Sequence, residues 1–164
     1  MTSYLNICRY LDSMGTPLKG RFKPRHPEKY KGDSNNIIYR SSWERDVMSW
    51  LDMREDVVAW MSEERCVWYF NPVTKKNSRY FPDFIVRYKR DDIIHEEMIE
   101  VKPSRHVRGP NPNPKRRTKS WMNDVQTYVI NQAKWKAAET YCEDRGWSFR
   151  LLTEENVPTW KKRK

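Results

Sequence analysis

Hydrophobic and polar positions follow two periods along this chain. Just after Ser41 the spacing is helical: Trp43, Val47, Trp50 and Leu51 recur at i, i+4, i+7 and i+8, which is one face of a helix. The helix opens on Ser41-Ser42-Trp43-Glu44, the S-x-x-E form of a capping box, in which serine and glutamate side chains satisfy amides at the helix start. A longer helix is predicted over about 120–145. Its stripe is Val125, Val129, Ala133, Ala137 and Tyr141, each four residues apart, and Gly146 ends it. Between the two helices the period falls to two. Residues 57–61 and 66–70 read as extended, with Asn71-Pro72 turning the chain. Residues 80–88 and 93–102 read as two strands joined by the polar turn Lys89-Arg90-Asp91-Asp92, and 147–152 as a last strand.

The flanking segments are less regular. Residues 4–11 predict a short amphipathic helix. Residues 16–40 read as an irregular basic arm broken by Pro17, Gly20, Pro24, Pro27 and Gly32, with a short strand at Ile37-Ile38-Tyr39. Residues 103–118 hold Pro103, Gly109, Pro110, Pro112 and Pro114 and predict a loop, longer than most structureless connections and of the kind usually tied to function or mobility. The order of elements predicts an α/β fold: a small mixed β-sheet flanked by α-helices. Its parts are an N-terminal helix and basic arm (1–40), a core (41–153) and a basic tail (154–164).

Composition adds that a compact core is feasible. Only 37% of the 164 residues are hydrophobic, but eight Trp, nine Tyr and five Phe are present, and each aromatic buries a large area. The longest apolar run, 57–61, is far short of the roughly 18 residues of a membrane span. The start of the chain lacks a signal peptide's apolar region. Cys8, Cys66 and Cys142 are odd in number and far apart, which excludes a disulfide scaffold and a cysteine zinc site. A soluble protein of a reducing compartment is expected.

Charge sharpens this. The net charge is +10, but residues 19–31 hold +5, 102–119 hold +7 and the tail 161–164 holds +4, leaving −6 for the rest. An acidic-leaning body thus carries basic appendages, as suits a polyanion, because each Lys or Arg placed on a phosphate releases counterions. The candidate DNA-binding residues are Lys19, Arg21, Lys23, Arg25, Lys29, Lys31, Arg105, Arg108, Lys115, Arg116, Arg117 and Lys119. The tail is read as a solubility feature. His26, His95 and His106 are too isolated for a transition-metal site. Trp121, Trp135 and Trp147 are read as packing residues rather than base-stacking platforms, and Lys134 and Lys136 as exposed or snorkelling lysines.

The chemistry concentrates in Tyr80-Phe81-Pro82-Asp83-Phe84 and Met98-Ile99-Glu100-Val101-Lys102. Strand alternation puts Ile99 and Val101 on one face, and Glu100 and Lys102 on the other. Asp83, at the start of the partner strand, is placed to approach Glu100. Two converging carboxylates make a hard-oxygen site suited to Mg²⁺. The lysine beside them could orient and help deprotonate water, or stabilise charge on a phosphate. Alone, Glu-x-Lys also fits any half-exposed strand with a charged outer face. Pro82-Asp83 upstream and the basic loop downstream favour chemistry.

Pro82-Asp83 followed by Glu100-x-Lys102 resembles the PD-(D/E)XK nuclease motif, with Glu44 at the place of an upstream helical acid. The blocks Tyr39-Arg40-Ser41-Ser42-Trp43-Glu44, Arg79-Tyr80-Phe81-Pro82-Asp83-Phe84, Ile99-Glu100-Val101-Lys102-Pro103 and Tyr141-Cys142-x-x-x-Gly146-Trp147-x-Phe149 are similar to TnsA-type transposon endonucleases. The preceding Pro27-Glu28-Lys29-Tyr30-Lys31-Gly32-Asp33 is similar to the head-completion nucleases of tailed bacteriophages. This resemblance spans roughly 20–153. It implies a restriction-endonuclease-like core and a Mg²⁺-dependent DNA endonuclease, with Mn²⁺ able to substitute. Asp83, Glu100 and the Val101 carbonyl would bind metal, Lys102 would act on water, and Glu44 would complete the cluster or serve only as a cap. For a phage member it implies a late role in head assembly in the host cytoplasm, with head or portal-vertex proteins as partners and incorporation into the virion open. A non-catalytic DNA-binding head protein and a transposon endonuclease remain as alternatives.

Overall fold

The structure is a computed structural model that describes residues 19–157; the helix expected at 4–11 and the tail at 161–164 lie outside them. In chain order, β1 (Gly20–Phe22) pairs antiparallel with β2 (Ile37–Tyr39), and α1 (Ser42–Met53) follows. Next come β3 (Val57–Ser62), β4 (Val67–Asn71), β5 (Lys76–Tyr80), β6 (Phe84–Arg90) and β7 (Ile93–Val101). A one-turn α2 (Ser104–Arg108), a 25-residue α3 (Lys119–Glu143) and β8 (Ser148–Leu152) complete the described chain.

The central sheet has the order β3-β6-β7-β8. Its first two pairings are antiparallel and β7–β8 is parallel, so it is mixed, as the element order predicts. The β6–β7 turn is tight because Asp91 and Asp92 both take left-handed φ, 51° and 61°, the pattern of a two-residue type I′ hairpin. Side-chain alternation sorts the core into two layers. Val57, Trp60, Phe84, Val86, Ile99 and Val101 pack under α1 against Val47, Met48 and Leu51. Met61, Ile85 and Met98 face the other way, onto Ala138 and Cys142 of α3 and Val67, Tyr69 and Tyr80 of the β4–β5 hairpin. A bulge between Val57 and Ala59 lets Val57 and Trp60 share a face despite their odd spacing.

Four expectations change. Residues 80–88 are not one strand: Tyr80 ends β5, buried Pro82 interrupts the ladder, and β6 starts at Phe84. The 103–118 segment contains α2 before Gly109, whose φ of 76° and close approach to Tyr128 suit only glycine. On α3, the fully buried residues are Asn131, Trp135, Ala138 and Cys142; of the expected stripe, Ala133, Ala137 and Tyr141 pack against the core half-buried, while Val129 is exposed. The reason is geometric: four residues turn a helix about 40° past a full circle, so a strict four-residue stripe winds off the core within three or four steps. Spacings of four and three hold the face.

The arm, lastly, is not irregular throughout. Its β1–β2 ladder and a 3₁₀ turn at Pro27–Lys29 are built onto the body. Tyr30 and Ile37 are core residues, and Tyr30 meets Trp60 edge-on with ring centroids 4.8 Å apart. Burial of the Tyr30 phenol pushes its pKa up to about 12. The anchor is Asp52, a buried carboxylate on α1 that accepts from Arg25 N at 2.7 Å and His26 N at 3.1 Å. Lys29 Nζ donates to the carbonyls of Asp52 and Arg54 at 3.1 and 2.8 Å, closing the C-terminus of α1. Asp52→Ala leaves two amides without their acceptor. It should cost about 2–4 kcal/mol in denaturant unfolding and speed tryptic cleavage within 19–31. An arm no more cleavable than in the wild type would mean that the Tyr30 and Ile37 packing alone holds it.

Candidate active site

The site is assembled where β6 begins and β7 ends. Phe84 pairs with Ile99, so the next position outward sets Asp83 opposite Glu100. Asp83 is fixed there by its own side chain, whose Oδ2 accepts from Val101 N at 2.7 Å. Ile99 and Val101 lie in the layer under α1, so alternation turns Glu100 toward α3 and the β4–β5 hairpin. That face is covered, not a solvated outer one: Glu100 is 2% exposed. Its Oε2 accepts from the Tyr80 hydroxyl at 2.5 Å, and its Oε1 pairs with Lys102 Nζ at 2.8 Å. Lys102 N donates to Leu152 O at 2.8 Å, extending the β7–β8 ladder by one bond and holding the lysine at the rim. Its side chain is 28% exposed, so the ammonium bridges the buried acid and solvent.

The electrostatics follow from this crowding. Burial, and then the neighbouring charge of Glu100, hold the Asp83 carboxyl well above the usual carboxylate range. For Lys102, burial works to lower the pKa, but the charges of Asp83 and Glu100 prevail and raise it. Burial and the Glu100 charge also push the Tyr80 phenol far up, so it stays a donor.

Two residues of this cluster were given no role in the site by sequence. Tyr80 stood inside a presumed continuous strand, where nothing marked it as a donor to Glu100. Lys134, read as exposed or snorkelling, is half-buried, with Nζ 5.8 Å and 5.6 Å from the ring centroids of Tyr69 and Tyr80. Burial lowers its pKa, opposed by the nearby Glu100. The signal that could have found it was its spacing, four residues from both Ile130 and Ala138 on the face of α3 that packs against the hairpin.

Glu44 is drawn into the neighbourhood without joining the carboxylate pair. Its charge is felt by Asp83 and Lys102. Its oxygens, however, take Arg40 N at 2.7 Å and the Ser41 hydroxyl at 3.0 Å, while Ser41 Oγ accepts from Glu44 N. The capping box thus exists but reaches the amide one residue before the N-cap. Arg40 pairs with Glu63 and lies near Glu44 and Asp83. Among the described residues no three His, Cys, Asp or Glu side chains come together as a metal-holding group. The pair Asp83–Glu100 nonetheless fits a hard divalent ion: the donors are oxygens, and their mutual repulsion is what a cation between them would relieve.

Of the expected DNA contacts, Lys19, Arg21, Lys23, Arg25, Lys31, Arg105, Lys115, Arg116, Arg117 and Lys119 are exposed. Lys29 is occupied at the end of α1, and Arg108 pairs with Glu155 at 2.8 Å. Trp135 is buried, and Trp121 donates from Nε1 to Asn111 O at 2.8 Å under the Arg117 guanidinium. His106 is on α2, its pKa lowered by burial. Cys66 and Cys142 are free thiols, and among the described residues no helix is long and apolar enough to cross a membrane.

The sequence profile described as TnsA-like endonuclease N terminal matches residues 54–154, the stretch that contains Asp83, Glu100 and Lys102. The chain belongs to the TnsA-like endonucleases. It is also similar to the head completion nuclease of Enterobacteria phage T4, with 37% identity over 141 residues, covering 84% of this chain and 92% of that protein. The restriction-endonuclease-like fold and the endonuclease assignment read from the motif therefore hold for this TnsA-like member. Asp83→Asn keeps an oxygen for Val101 N but removes one of two crowded charges. The metal-free variant should melt a few degrees higher than wild type in calorimetry at neutral pH. A lower midpoint would mean that the charged form of Asp83 is held there by net attraction.

Proposed function

We propose that this chain is a divalent-metal-dependent endonuclease that hydrolyses DNA phosphodiester bonds, using Mg²⁺ with Mn²⁺ able to replace it. The observation that carries the reading is the forced approach of Asp83 and Glu100 with Lys102 at the rim of the same edge. Asp83, Glu100 and the Val101 carbonyl would hold the ion. When bound, it would polarise the phosphoryl group and lower the pKa of a bound water. Glu100 holds Lys102 as an ammonium at the rim, where its N–H groups orient the attacking water and offset charge building on the phosphate. Tyr80 keeps Glu100 in place. Lys134 supplies a second cation behind the pair. The exposed cations of the arm and of 105–119 hold the DNA backbone and, being phosphate contacts, do not choose its sequence.

The reading extends to late phage head maturation, in the host cytoplasm and with head or portal-vertex proteins as partners. It rests there on the similarity to the T4 head completion nuclease. One observation favours a second reading, a DNA-binding head protein that uses the fold as scaffold: the Glu44 carboxylate is spent on a helix cap.

Purified protein should nick plasmid DNA with Mg²⁺ or Mn²⁺ and stop when the ion is chelated. Lys102→Ala should lower the rate at least about 100-fold while circular dichroism stays unchanged. Equal cleavage by wild type and Lys102→Ala would overturn the enzyme reading. Glu44→Gln, which keeps an acceptor for Arg40 N, separates the two roles of that residue. A cap alone predicts nearly normal cleavage and melting. A metal-site role predicts a shift in the Mg²⁺ concentration needed for half-maximal rate.

A further inference from the structure

The β4–β5 hairpin has a second face that the nuclease chemistry does not use. Its inner face, Val67, Tyr69 and Tyr80, packs on α3. Alternation turns Trp68 and Phe70 outward, and they are 65% and 56% exposed, although large aromatics are usually buried. Trp68 pairs across the ladder with Arg79, and Phe70 with Asn77. Phe81, just past the hairpin, is exposed as well. From 65 to 82 the chain carries Arg65, Lys75, Lys76 and Arg79 and no acid. The two acids just before it have other partners: Glu63 pairs with Arg40, and Glu64 lies 3.4 Å from the Tyr30 hydroxyl.

This face lies on the outer side of the same hairpin whose inner side carries the active-site tyrosine. Arg79, opposite Trp68, immediately precedes Tyr80, the donor to Glu100. Trp68 therefore stands about one strand step, roughly 3.3 Å along the ladder, from the level of Tyr80. Trp68 and Phe70 are two residues apart, so their attachment points are about 6.6 Å apart. That is close to twice the ~3.4 Å step of stacked bases and leaves room for one flat base between two rings. We propose that the outer face of the β4–β5 hairpin, Trp68, Phe70 and Arg79, binds unpaired bases of a DNA strand leading to the active site.

The cations select the occupant. A hairpin segment with four cations and no acid, beside the proposed endonuclease centre, complements a polyanion. A second copy of this chain meeting it face to face would set like charges together. Bases within an intact duplex are stacked on each other and cannot cover the rings, whereas a single strand or overhang offers its bases freely. The proposal rests on the nuclease reading for the direction of the strand, but its test does not require cleavage.

With the ion chelated, so that nothing is cut, anisotropy of fluorescein-labelled oligonucleotides would be measured on the whole chain. The probes are oligo-dT, a duplex with a single-stranded overhang, and a blunt duplex of equal length. Trp68→Ala/Phe70→Ala should weaken oligo-dT and overhang binding about tenfold or more, and blunt-duplex binding less than about twofold. Trp68→Phe/Phe70→Tyr, which keeps two rings, should restore most of the loss. Thermal melting checks that the alanine variant folds; if it does not, Arg79→Glu replaces it and should likewise weaken oligo-dT binding more than blunt-duplex binding. Unchanged oligo-dT affinity, or equal losses on all three probes, would overturn the proposal. So would a change in elution volume without a change in DNA binding, which would make the face a protein contact. Failure of Lys102→Ala to lose cleavage would strike the enzyme reading and leave this binding result standing.

Discussion

Glu100 carries a charge into the space between the sheet and α3, and much of the surrounding architecture is what that charge requires. A carboxylate removed from water costs several kcal/mol unless its oxygens are paired. Here one oxygen takes the Tyr80 hydroxyl and the other the Lys102 ammonium. Tyr80 can reach it only because β5 is pinned through β4 to α3, by Val67, Tyr69, Ala138 and Cys142. Lys102 can reach it only because the ladder with β8 continues one bond past Val101. Losing either support would leave a buried acid with half its partners. Asp83 adds a second carboxylate to the same spot, held by a backbone amide rather than by a cation. The site is thus built against local stability, and the layer under α1 offsets it with a run of fully buried apolar side chains.

This explains which parts were legible in the sequence. Alternation correctly set Glu100 and Lys102 on the face opposite Ile99 and Val101, because a strand's period is a local property. It could not tell what lay over that face, and the charged residues made solvent the natural reading. What covers it is a hairpin and a helix some 20 to 40 residues away in the chain. The β5 strand was missed for a related reason. Lys76-Asn77-Ser78-Arg79 is polar and pairs with β4 as a short two-stranded ribbon, so it lacks the apolar alternation of a half-buried strand. The α3 stripe held only in its second half, where Ala133, Ala137 and Tyr141 pack against the core, since spacing by fours drifts about 40° per step and leaves Val129 outside.

The arm carries a different lesson. Its prolines, glycines and cations read as a loose appendage, yet Asp52 and the Tyr30–Trp60 contact fix it to the body. A tether would offer its positive charge at a range of distances. A fixed arm places Arg21, Lys23, Arg25 and Lys31 at set positions, so only a backbone lying along one path meets all of them. Binding cations fixed in advance cost less to order than mobile ones, and this holds whichever strand the site acts upon.

Strand β5 joins these elements. Its last residue, Tyr80, holds Glu100, and the residue before it faces outward beside Trp68. One segment therefore serves Glu100 on its inner side and the proposed base-binding face on its outer side. A strand shifted by one register would lose both at once, because odd and even positions would exchange faces. The β4–β5 register is set by Asn71, whose side-chain oxygen accepts from Val73 N at 2.9 Å and Thr74 N at 3.1 Å, and by Lys75 in left-handed φ of 55°. The turn at the far end of the hairpin thus determines whether Tyr80 arrives at Glu100. It lies five to nine residues before Tyr80 in the chain, at the other end of β5, yet the geometry of the candidate site depends on it.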